Sequence, residues 1–192
     1  MRRWLTLIGS ACVLNGAMVA QVMTPCRTGA QPTKHTDFLE IRDFKSLRMN
    51  LDRTGCFGTC PQYSIEVRGD GDVTYDGSWY AKYCGQWRGT IPVSSVRELV
   101  AQFRATDYFR LNREYLVDGT DLPTYTTAIA FDNIGKCIAD YGGNLVGMPA
   151  SVRKLEDAID RLAGPEHWTT RKQIPSKNAE DCRGPFPEEQ AR

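Results

Sequence analysis

Tyr63-Ser64-Ile65-Glu66-Val67-Arg68-Gly69-Asp70-Gly71-Asp72-Val73-Thr74-Tyr75 is the stretch that decides the fold. Tyr63, Ile65 and Val67 alternate with Ser64, Glu66 and Arg68, and Val73 and Tyr75 resume the pattern after a Gly-Asp-Gly-Asp turn. Period-two alternation on both sides of residues that tolerate positive φ is the signature of a hairpin with one buried face. Hairpin strands are antiparallel, so the sheet built on them is expected to be antiparallel too.

Working outward, Leu47, Met49 and Leu51 alternate with Arg48, Asn50 and Asp52, which reads as a half-buried strand. Tyr83 to Ile91 predicts a further strand, weakened by Gly85 and Gly89. The period then changes. Val96, Leu99, Val100 and Phe103 share one helical face, and Ser95 with Glu98 has the spacing of a capping box. After an irregular stretch from Asp107 to Pro123, alternation returns at Tyr125, Thr127, Ile129 and Phe131, followed by a turn and a strand to Tyr141. Val152, Leu155, Ile159 and Leu162 form a second helical stripe, stopped by Gly164-Pro165. The expectation is an α+β domain over residues 45–168, with an antiparallel sheet of about five strands and two helices packed on one face.

The flanks read differently. Arg2 and Arg3, the apolar run from Trp4 to Leu14 and the small residues near Ala17 and Ala20 predict an export signal over residues 1–20. Gly9 stands where a lipoprotein cleavage box wants a Leu-like residue, so cleavage without a lipid is favoured over acylation at Cys12. Residues 21–44 read as a linker and 169–192 as a mobile tail. Loss of the leader leaves 22 basic and 23 acidic side chains, a formal charge of −1. That balance offers no bulk attraction to nucleic acid, and no transmembrane segment is expected after cleavage. The expected location is periplasmic or extracellular.

Without Cys12 six cysteines remain: Cys26, Cys56, Cys60, Cys84, Cys137 and Cys182. An even number in an exported chain favours disulfides, although six thiols allow fifteen connectivities. Cys56 and Cys60 sit four positions apart in a Gly-containing loop between two strands. Such a pair can close a local disulfide, cycle between dithiol and disulfide, or hold a soft metal such as copper with a His completing the set. A structural disulfide is preferred, because Pro61 and Tyr63 lead into a strand, with no helix N-terminus to lower a thiol pKa. The metal alternative is Cys56, Cys60 and His167, since His35 falls in the linker.

Leu47 to Trp168 resembles a bacterial family known only as domain of unknown function 6438. The resemblance rests on Gly55-Cys56-Phe57-Gly58-Thr59-Cys60-Pro61-Gln62-Tyr63, on the Gly69-Asp70-Gly71 turn with Val73 and Tyr75, on Tyr115 with Thr120-Asp121-Leu122-Pro123, and on Asp140-Tyr141-Gly142-Gly143. It implies an exported domain and no assigned activity. Cys84 and Cys137 depart from the family pattern, and two unusual thiols in separate predicted strands are most simply explained by each other. That gives Cys84–Cys137, with Cys26–Cys182 as the remaining pair.

Other candidates carry weaker signals. Asp70, Asp72 and Asp76 lack a full calcium ligand ladder and fit a hairpin turn; Arg68-Gly69-Asp70 lies in that same turn. Tyr115, Asp118 and Asp121 form the best carboxylate cluster, but no nucleophile–base set or phosphate loop accompanies them. Trp79, Tyr80, Tyr83 and Trp87 suit either a binding surface or sheet packing. The favoured function is a non-enzymatic exported binding or structural module for a protein, peptide or envelope component, with no cofactor. The alternative is a thiol redox or copper-handling protein using Cys56 and Cys60.

Overall fold

The computed structural model describes residues 36–175. The chain order is β1 (Arg48–Arg53), β2 (Tyr63–Arg68), β3 (Asp72–Gly77), β4 (Gly85–Thr90), α1 (Val93–Ala105), β5 (Glu114–Leu116), β6 (Tyr125–Phe131), β7 (Ile134–Tyr141), α2 (Ala150–Ala163) and β8 (Thr170–Ile174). All strands join one sheet in the order β5-β7-β6-β1-β2-β3-β4-β8. Every pairing is antiparallel except β5 with β7. The fold is α+β as expected, but the sheet has eight strands rather than about five. β5 is a three-residue edge strand, and β8 is exposed and polar, so neither carries an alternation to read.

Alternation decides which face is buried. Met49 and Leu51 of β1 stand beside Val67 and Ile65 of β2 and beside Ile129 and Thr127 of β6. Val73 and Tyr75 continue that face. It packs against Val96, Leu99, Val100 and Phe103 of α1 and Val152, Leu155 and Ile159 of α2 in one apolar core. The opposite parity carries Arg48, Glu66, Thr74 and Arg88 along the sheet's other face. Both helices therefore cover one side.

Three expectations change. α1 begins at Val93, two residues before the supposed cap, because the Pro92 carbonyl already accepts from Ser95 and Val96 N–H; no side chain caps the helix. The end of the expected linker is part of the domain. Phe38 packs its ring on Phe109 and Phe131, and Ile41 is buried. Arg42 and Asp43 N–H donate to the Asp132 carboxylate at 2.7 and 3.2 Å. The start of the expected tail is β8, paired along β4 from Thr90↔Thr170 to Gln86↔Ile174. The expected leader, including Cys12, and the rest of both flanks lie outside the described residues.

The β6–β7 hairpin turns through Asp132 and Asn133 at φ 48° and 64°, values that a two-residue turn of this hand requires. Gly89 marks a close approach. A Cβ there would meet the Trp168 ring at 2.0 Å and the Thr170 carbonyl at 2.3 Å. Gly89→Ala is therefore expected to lower stability by about 1–3 kcal/mol, measured by urea denaturation. An unchanged midpoint would mean that Trp168 and β8 do not dock on β4.

Candidate functional site

The helix face ends in a row of four side chains on adjacent strands. Asp140 of β7 is opposite Tyr125 of β6, Tyr125 is opposite Arg53 of β1, and Arg53 is opposite Tyr63 of β2. Partners directly opposite in a sheet share a face, so these groups line up beneath α2. The helix runs across the strands along this row. Arg153 reaches Asp140 at 2.6 Å and covers the Tyr125 ring at 4.7 Å. Two turns later Asp160 bonds Arg53 and accepts the Tyr63 hydroxyl at 2.7 Å. The Arg53 guanidinium lies over Tyr125 at 4.0 Å, a planar cation on a ring face.

Glu156 of α2, between Arg153 and Asp160, is fully buried, with Arg153 Nη1 3.0 Å away. Its carboxylate oxygens accept no hydrogen bond, and burial raises its pKa to about 8. Burial also raises Asp160, against the pull of Arg53. Burial and then the Asp160 charge hold the Tyr63 phenol above its ordinary range. Arg53, Tyr63, Tyr125, Asp140, Arg153, Glu156 and Asp160 were not candidates in the sequence. The available signal was parity, since Arg53 continues Met49 and Leu51, and Asp140 continues Ile138.

Above the row stand the loops 54–62, 78–84, 117–124 and 142–147, which share one end of the sheet. Cys56 and Cys60 are bonded, with Cα atoms 5.6 Å apart. The loop is braced on both sides. Phe57 N–H donates to the Asp121 carbonyl at 3.3 Å and Thr54 N–H to the Thr124 carbonyl at 3.0 Å, while Gln62 N–H donates to the Trp79 carbonyl at 2.8 Å. Phe57 is 88% exposed at the loop tip and Trp79 46%. Between them lies a pocket of about 550 Å³ lined by the Cys loop, Gln62, Trp79 and Tyr80, with no charged side chain. Tyr80 holds φ 57°, a left-handed conformation costing a non-glycine residue about 1–2 kcal/mol. A second cleft, about 640 Å³, adjoins at Tyr80 and is lined by Tyr63, Tyr75, Tyr83, Asp160, Glu166 and His167 among others.

The sequence candidates separate. Tyr115 is buried in β5, its hydroxyl accepting from Asn112 N–H, whereas Asp118 and Asp121 are exposed in the loop beyond. Asp121 holds φ 73° and bonds Thr120 Oγ1, so it acts as a turn residue. Asp70 likewise caps its own turn through Asp72 N–H. Trp79 belongs to the rim; Trp87 packs with Tyr83 and donates to the Cys84 carbonyl. Among the described residues no three His, Cys, Asp or Glu side chains converge, so Cys56, Cys60 and His167 are not gathered together. Cys84 and Cys137 are both disulfide-bonded, yet not to each other. Four strands, β6, β1, β2 and β3, separate β7 from β4, a span of about 24 Å at 4.8 Å per strand, against the roughly 7 Å limit between bonded Cα atoms. Cys26 and Cys182 lie outside the described residues.

This architecture, one mixed sheet half-covered by two helices and crowned by a disulfide-pinned rim, defines a small α+β domain that displays loops at one end. The chain belongs to the family described as Domain of unknown function (DUF6438), whose model matches residues 47–163, from the entry to β1 to the end of α2. A search of curated proteins returns no match.

The buried Glu156 carboxyl makes stability depend on pH. Its folded pKa, about 8, lies above the ordinary 4.5, so the native state holds a proton that the unfolded chain releases. Stability is full below about pH 4.5, falls as pH rises, and levels beyond 8. Glu156→Gln keeps the shape and removes the slope. Urea denaturation at pH 5 and pH 8 is expected to show the variant gaining on the parent at pH 8, and a constant difference would refute the buried acid.

Proposed function

We propose that this chain is an exported, non-enzymatic binding module whose disulfide-pinned rim docks a protein or peptide through apolar side chains. One observation carries the reading. Of eight large hydrophobic side chains exposed among the described residues, six belong to this end of the sheet: Phe57, Trp79, Leu116, Leu122, Leu145 and Val146. Single exposed apolar residues scatter over any surface, whereas a gathered set marks an interaction site. Trp and Phe are also the side chains that anchor interfaces.

Export is supported by the leader-like residues 1–20 and by bonded cysteines, which persist in oxidising compartments. Among the described residues no helix is long and apolar enough to cross a membrane. The thiol reading draws no comparable support. The pocket beside Cys56 and Cys60 has no cationic lining, and their loop runs into β2 rather than a helix, so the usual sources of thiolate stabilisation are lacking there.

Selection of displayed random peptides against the protein tests the reading. Selected peptides are expected to be rich in aromatic and aliphatic residues, and to lose at least tenfold in affinity against Phe57→Ser with Trp79→Ser. Arg88→Gln, on the opposite face, is expected to leave affinity unchanged. Binders indifferent to the rim substitutions would overturn the proposal. Replacing Cys56 and Cys60 together by Ala is expected to cost about 2 kcal/mol in the chain-entropy account of a small loop, read by denaturation, and to weaken the same peptides.

A further inference from the structure

We infer that the two ends of the domain are strapped to opposite halves of its sheet by the disulfides Cys26–Cys137 and Cys84–Cys182. Cys84 and Cys137 are both bonded, and Cys56 and Cys60 hold each other. The remaining thiols are Cys12, Cys26 and Cys182. On the export reading proposed above, cleavage of the leader removes Cys12 and leaves one cysteine in each flanking segment.

Strand order and chain reach assign them. Cys84 immediately precedes β4, and its carbonyl accepts from Gln173 Nε2 of β8 at 3.2 Å. β8 ends at Ile174, opposite Gln86, so Cys182 comes eight residues after a point beside Cys84. Eight extended residues reach about 28 Å at most. Cys137 in β7 is six strand positions from β8, about 29 Å at 4.8 Å per strand. Cys182 therefore reaches Cys84 with slack, whereas Cys137 lies at the limit of a fully extended segment laid straight across six strands.

At the other end, Phe38 stacks on Phe131 where β6 turns into β7. Cys26 lies twelve residues before Phe38, and Cys137 six after Phe131, well within reach. Cys137 is opposite Ala128, and Ala128 opposite Asn50, on the face away from the helices. Ala128 and Asn50 are 1% and 2% exposed there, although no described helix or strand packs on that face.

Each strap forms by thiol–disulfide exchange. Two cysteine thiols pass two electrons and two protons to a donor disulfide, which leaves as a dithiol. The straps are an oxidation-dependent device that holds the two margins of the sheet and leaves the loop rim open.

Trypsin separates all six cysteines of the mature chain except the loop pair, so non-reducing peptide mapping of protein recovered from an oxidising compartment reads the pattern directly. The expected products are the peptide ending at Arg27 joined to Cys137–Arg153, Tyr83–Arg88 joined to Asn178–Arg183, and Thr54–Arg68 closed on itself. Single variants give an independent readout by alkylation of the native protein. Cys182→Ser is expected to expose a thiol at Cys84 alone, and Cys26→Ser at Cys137 alone. The inference is overturned by Tyr83–Arg88 linked to the Arg27 peptide, by Asn178–Arg183 linked to Cys137–Arg153, or by alkylation of Cys84 or Cys137 in the unsubstituted protein.

Discussion

Two helices of 13 and 14 residues are the only long ones among the described residues, and they set the limit on everything else. Each is about 20 Å long and about 10 Å across, so the pair shields a patch of roughly 20 by 20 Å. Eight strands span about 34 Å. The helices therefore protect the central strands, and the margins need other cover. On the β7 side it comes from Phe38, stacked on Phe131, and from Phe109, edge-on to both rings. On the β4 side it comes from Trp168, seated over Gly89, with its Nε1–H bonded to the Ala163 carbonyl.

The same shortage explains the charged row under α2. A helix crossing the strands meets one side chain per strand, and at the sheet's last rung those side chains are Asp140, Tyr125, Arg53 and Tyr63. An apolar rung there would continue the core to the edge of the loops. The alternation of charge and ring instead makes each contact directional, so the helix has one registration against the sheet. Lys136 does similar work at the other end, its buried ammonium donating to the carbonyls of Phe109 and Leu111 while burial pulls its pKa to about 8.

How far the sequence could be read follows from what is local. The Tyr63–Tyr75 hairpin, the Met49–Leu51 strand and both helical stripes were legible because period and turn chemistry are written within a few residues. β8 was not, since Thr170 to Gln173 show only polar groups and their pairing with β4 is a tertiary fact. Phe38 and Ile41 fall in the segment that reads as a linker for the same reason, since their packing is tertiary. Of the candidate site, the Cys loop and Trp79 are legible from composition and spacing. The Arg53 row was missed because cross-strand neighbours depend on β1 lying between β2 and β6, an order no local pattern states. Pairing Cys84 with Cys137 by economy failed on that same unseen order.

The position of β1 also shapes how the chain is made. β1 pairs on one side with β2, which follows within about ten residues, and on the other with β6, whose register joins Met49 to Ile129, eighty residues later. A growing or threading chain can complete the β1–β4 meander early, yet one long edge of β1 stays unsatisfied until Phe131 has emerged. Open edges invite pairing with other chains, and contacts this distant in sequence form slowly. The half-built sheet is thus the vulnerable species of this protein, and β6 is the piece of chain that ends its vulnerability.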